Sequence, residues 1–165
     1  MTPLFFARAI LVGLLATLAI DSWAAFLRRA FDVRSLNYCL LGRWVLSMAD
    51  GVFVHRNIND APSKSLECPV GWTAHYGIGA GFGFVFALLV SEAWFAHPTP
   101  LPALLFGMVT VLVPFFTLQP ALGLGVASSK TPHPMRARLK SLGTHTVFGI
   151  GLYLAALLLR LLVGA

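Results

Sequence analysis

The sequence predicts an all-α integral membrane protein, a four-helix bundle with an interfacial helix between its first and second spans. Three observations carry that reading. Hydrophobic residues make up 58% of the chain and charged residues 11%, against about 45–50% and about 25% in soluble domains. The apolar residues gather into four stretches long enough to cross the roughly 30 Å hydrocarbon core of a bilayer. Finally, the Lys and Arg residues are collected into two connecting segments, as cytoplasmic loops of multi-pass proteins are. At 165 residues the chain has room for a single membrane domain over 1–165 and little else.

The first span is expected over about 4–25. It is no signal peptide: the segment before it carries only Arg8, the pair Arg28-Arg29 follows it, and Asp21 sits where a cleavage region should be bland. Residues 36–55 are apolar but interrupted by Arg43 and Asp50, a pattern that suits a helix lying in the interface. A polar loop over 57–69 leads to the second span, about 71–94. The turn His97-Pro98-Thr99-Pro100, without Lys or Arg, precedes the third span, about 101–127. Within that span Pro114 and Pro120 each remove a backbone donor and should kink the helix. The fourth span covers about 141–163. Trp23, Trp72 and Trp94 fall near the expected boundaries, where amphipathic rings are favoured.

Of the 12 Lys and Arg residues, Arg28, Arg29, Arg34, Arg43, Arg56 and Lys64 lie in the first segment and Lys130, Arg136, Arg138 and Lys140 in the second. This places both segments in the cytoplasm and both termini outside. Anionic headgroups satisfy such charges, so the net charge of +6 does not call for nucleic acid. Cys39 and Cys68 fall in the first basic segment, and in a reducing cytoplasm they should be free thiols.

One polar side chain per span sits near the expected cytoplasmic helix ends: Asp21, His75, Gln119 and His145. Such groups are costly in lipid and face the bundle interior, where they form either a packing network or a shared site. The small residues favour close packing. Gly13 shares a face with Thr17 and Asp21, and the second span carries the pairs Gly77 with Gly81 and Gly79 with Gly83. The run His75-Tyr76-Gly77-Ile78-Gly79-Ala80-Gly81 matches His145-Thr146-Val147-Phe148-Gly149-Ile150-Gly151, which superposes Gly79 on Gly149 and Gly81 on Gly151. That is the form of a parallel internal repeat. The plain reading is a tightly packed bundle. The sharper one is haem or a metal at His75 and His145, with glycines leaving room for a macrocycle. No catalytic constellation stands out, which argues against an enzyme. Glu92 and His97 sit near the outer interface and are expected to contact water.

Gly42-Arg43-Trp44, Gly71-Trp72-Thr73-Ala74-His75-Tyr76, the stretch from Pro114 to Gly125 and the stretch from His145 to Tyr153 resemble the bacterial membrane family catalogued as domain of unknown function 2938. The resemblance covers nearly the whole chain and implies a small inner-membrane protein, without bringing an activity. Two functional classes follow from the residues. One is a structural or accessory subunit that meets a second copy or a partner protein through its glycine faces. The other is a membrane protein that binds a ligand, haem, metal or proton at the polar level.

Overall fold

The computed structural model describes residues 2–33 and 35–163, the side chain of residue 163 excepted; Arg34 of the first basic segment lies outside them. The described residues contain no strand and five helices: α1 (Pro3–Phe31), α2 (Tyr38–Met48), α3 (Glu67–Ala96), α4 (Pro100–Ala121) and α5 (Pro134–Val163). Four of them, all but α2, are long and apolar enough to cross a membrane. The all-α four-helix architecture is therefore present.

Local signals account for the helix ends. Thr2 caps α1, its hydroxyl accepting from Phe5 N at 3.2 Å, and Pro3 stands in the first turn, where no amide is needed. At 29 residues α1 is about 43 Å long, so Arg28 and Arg29 extend beyond the hydrocarbon core. Asn37 caps α2 by accepting from Cys39 N. With 11 residues, α2 is about 16 Å long and cannot span. The helix expected to run to residue 55 stops at Met48. Gly51 has φ +76, with Gly51 N bonded to Met48 O and Val52 N to Ser47 O. Those paired bonds form the Schellman stop, which a left-handed glycine makes cheap.

The same stop closes α4. Gly123 has φ +86, Gly123 N bonds Pro120 O and Leu124 N bonds Gln119 O. The apolar run to residue 127 therefore leaves the helix at Ala121. Earlier in α4 the helix widens to a π-turn over Pro114–Leu118, closed by Gln119 N to Pro114 O. Proline lacks the N–H that a regular turn uses, and the wider turn accommodates the gap.

The chain divides into two compact units. The first comprises residues up to 35, 76–110 and from 143 onward, a four-helix bundle of α1 with parts of α3, α4 and α5. Its core joins Val12, Ala16, Phe86, Trp94, Phe148 and Leu152. Trp94 is thus buried, with Nε1 donating to Thr99 O, instead of lying at the lipid surface. Backbone meets backbone at three crossings. A Cβ on Gly83 would stand 2.4 Å from Ala9 O, one on Gly107 2.5 Å from Gly149 Cα, and one on Gly151 2.8 Å from Ala16 Cα. Gly13 and Gly79 belong to the first of these crossings, whereas a Cβ at Gly77 or Gly81 would meet nothing within 4 Å. The sequence repeat is therefore not matched in surroundings, since Gly151 is packed and Gly81 is open.

The second unit comprises residues 36–75 and 111–142. Here α2 crosses the first turns of α3 at glycine: a Cβ on Gly42 would stand 1.7 Å from Glu67 O, and one on Gly71 1.8 Å from Tyr38 O. That contact sets residues 39 and 68 side by side, and Cys39 and Cys68 form a disulfide. The expectation of free thiols is corrected, because 29 residues of sequence separate two positions that the Gly42–Gly71 crossing joins. The segment after Gly51 is extended and pairs with the end of α4, His55 N to Ala121 O at 2.8 Å and Ile58 N to Leu122 O at 3.1 Å.

The crossings predict a sharp contrast between neighbouring glycines. Gly83→Ala should destabilise the detergent-solubilised protein by about 1–3 kcal/mol through overpacking. Gly81→Ala should be neutral or slightly stabilising, by up to about 1 kcal/mol, through helix propensity. Thermal unfolding of both variants beside the parent checks this.

Candidate functional site

Each of the four expected polar residues is engaged locally. In the first unit, α1 places Asp21 opposite Tyr76, whose hydroxyl donates to Asp21 Oδ2 at 2.8 Å. Also there, Thr110 Oγ1 lies 2.8 Å from His145 Nδ1 and 2.6 Å from Gly107 O. A hydroxyl has one hydrogen; when it is donated to the Gly107 carbonyl, Nδ1 must be the protonated nitrogen of His145. Nε2 then carries the lone pair. Gly107 serves this bond as well as the α4–α5 crossing.

In the second unit, His75 stacks on Tyr38 with ring centroids 4.0 Å apart and planes at 21°. Trp72 meets both rings edge-on, at 4.7 Å from Tyr38 and 6.0 Å from His75. Gln119, only 8% exposed, bridges two serines. Its Oε1 accepts from Ser128 Oγ at 3.0 Å, and its Nε2 donates to Ser141 Oγ at 3.4 Å. The side-chain amide therefore ties α4 to both the loop after it and α5. Among the described residues, no group of three or more His, Cys, Asp or Glu is placed to hold a metal ion.

A bidentate ion pair joins two residues whose pairing the sequence pattern did not single out. Arg43 of α2 grips Glu67 with one guanidinium edge, Nε to Oε2 at 2.8 Å and Nη2 to Oε1 at 2.9 Å. Its Nη1 donates to Ala61 O at 2.8 Å and Ile58 O at 3.3 Å. Lys64 N adds a 3.0 Å bond to Glu67 Oε2. The side chains are 13% and 14% exposed, and a bidentate pair so sheltered fixes geometry as well as charge. The hydrogen bonds to Glu67 raise the Arg43 guanidinium above its ordinary range. Asp50, past the end of α2, pairs instead with Lys64. Arg43 and Asp50 thus serve separate partners. The sequence held one usable signal, an acid at the start of a span facing an arginine within an apolar helix. Nothing in their separation announced the pairing. His55 Nε2 is buried without a hydrogen-bond partner.

Four apolar helices, polar groups spent on links between helices, and backbone contacts at glycine define a multi-pass α-helical membrane protein. The chain belongs to the family described as "Protein of unknown function (DUF2938)", which it matches over residues 10–159. It is also 40% identical over 68 residues to the cell division protein DrpB of Escherichia coli (strain K12), a stretch covering 38% of this chain and 68% of that protein. No solved structure matches.

The Thr110–His145 link yields a test of packing inside the bundle. Thr110→Val should lower stability by about 0.6–2 kcal/mol, the range for hydrogen bonds between membrane helices. Thr110→Ser, which keeps the hydroxyl, should retain most of it. Unfolding of the purified protein in detergent measures both.

Proposed function

We propose that the protein is an accessory subunit of the bacterial inner membrane, acting through contacts between helices in the setting of cell division. The observation that carries this reading is the likeness to DrpB. The uses made of Asp21, Gln119 and His145 support it, since each is bonded to a neighbouring element as a packing residue would be. The open Gly77 and Gly81 offer a face where another helix could approach. On this reading His75→Ala changes stability or assembly, because the Tyr38 stack is lost, and not a bound ligand. A fluorescent fusion of the full chain in dividing Escherichia coli should concentrate at midcell. Uniform membrane fluorescence throughout the cycle would remove division from the proposal.

The orientation we propose has the basic segments in the cytoplasm. The Lys and Arg excess supports it. A disulfide between Cys39 and Cys68 would be transient on that side, since the cytoplasm keeps thiols reduced. A periplasm-dependent alkaline phosphatase fused after residue 165 should be active and a fluorescent protein fused there dark. The opposite result would place the termini inside and the cysteine pair in the oxidising compartment.

A further inference from the structure

In the first unit, the end that holds the start of α1 and the end of α5 contains a cavity of about 180 Å³. Its polar lining comes from Arg8 on α1, Arg160 on α5, Glu92 on α3 and Thr2. Phe5 and Phe95 form part of the apolar wall and meet edge-to-face at 5.2 Å. The volume equals that of about six waters at roughly 30 Å³ each, enough for a small anionic group.

The charges do not balance. Glu92 is already engaged, accepting from Thr2 N at 3.3 Å. Neither Arg8 nor Arg160 has a hydrogen bond or ion pair among the described residues. Among the described lining residues, two cations stand against one anion. A second observation concerns the backbone. Ser91 stands at φ +66 and ψ 176 inside α3, a left-handed value that costs a non-glycine residue. Three lining residues, Glu92, Phe95 and Ala96, follow immediately after this break. Strain of that kind persists where the surroundings over-determine it.

We infer that this cavity binds the phosphodiester of an anionic phospholipid, with Arg8 and Arg160 on the phosphate and the glycerol and upper acyl carbons against Phe5 and Phe95. Guanidinium is the side chain best matched to phosphate oxygens. The phosphodiester brings negative charge to a lining in which, among the described residues, arginines outnumber the carboxylate. Both arginines lie within two turns of a helix end, the depth at which headgroups sit and at which intramembrane arginines seek a partner. A free phosphate would use the same cations and leave the aromatic wall unused.

The test is native mass spectrometry of the full chain from detergent, titrated with phosphatidylglycerol, with phosphatidylcholine, and with inorganic phosphate. The expected result is a one-to-one phosphatidylglycerol adduct, retained at least tenfold better than phosphatidylcholine. Arg160→Gln should weaken it about tenfold or more, as should Arg8→Gln. The double change Arg28→Gln with Arg29→Gln, which removes more charge away from the cavity, should leave it intact. Arg160 is exposed and close to the end of α5, so its variant folds and decides the matter even if the Arg8 variant does not. Equal retention in Arg160→Gln, or equal loss in the Arg28 and Arg29 variant, overturns the site. Displacement of the lipid by millimolar inorganic phosphate overturns the lipid as the ligand.

Discussion

Close backbone contact at glycine is the constraint on which the rest of this structure depends. In lipid, apolar side chains gain little by turning from acyl chains to one another, so helices associate through packing and polar links. At Gly83 against Ala9, Gly107 against Gly149, and Gly42 against Glu67, no room remains for a methyl group. Such approach multiplies dispersion contacts whose individual strength is small. It also brings helix-borne polar groups within reach of a neighbouring helix. Gly107 shows both effects, meeting Gly149 while its carbonyl accepts from Thr110, which in turn meets His145.

The polar residues follow from that geometry. A buried amide or carboxylate in an apolar medium must find a partner or bear the cost of desolvation. Asp21 finds the Tyr76 hydroxyl, and Gln119 finds Ser128 and Ser141. The first link joins positions 55 residues apart in sequence, whereas Gln119 ties α4 to the loop directly after it and to α5. In the second unit a full ion pair shares that task with Gln119. The Arg43 and Glu67 side chains are joined by two short bonds, and the remaining guanidinium nitrogen closes on the carbonyls of the 58–61 turn. Disulfide, glycine crossing and ion pair all act on the junction of α2 with α3.

The spans were legible because their signal is additive: many apolar residues in a row survive any local error. The all-α class and the four long helices followed from that sum. Helix ends are decided by single residues and were harder to see. Val52, Phe53 and Val54 after Gly51, and Leu124 and Val126 after Gly123, continue the hydrophobic pattern beyond each helix. The stop lies in one glycine's positive φ, and glycine is too frequent here, at 15 residues, for each to be read as punctuation. The four polar residues were visible as misfits in apolar surroundings. Their partners Tyr76, Thr110, Ser128 and Ser141 were not, because hydroxyl residues are ordinary in membrane helices. The cysteine pairing failed for a related reason: the compartment argument weighed charge and could not weigh a crossing between Gly42 and Gly71.

The distribution of partners among the charges gives the last step. Arg43 and Lys64 meet carboxylates of the same unit, and those pairs hold the fold of their segment. Arg8 and Arg160 line one cavity with a carboxylate that the N-terminal backbone already occupies. A cation without a protein partner at the edge of an apolar phase has its free-energy minimum against a headgroup. The paired charges thus hold internal structure, whereas Arg8 and Arg160, unpaired among the described residues, are the ones the proposed lipid site uses. The accessory role and the lipid site proposed above both draw on that division.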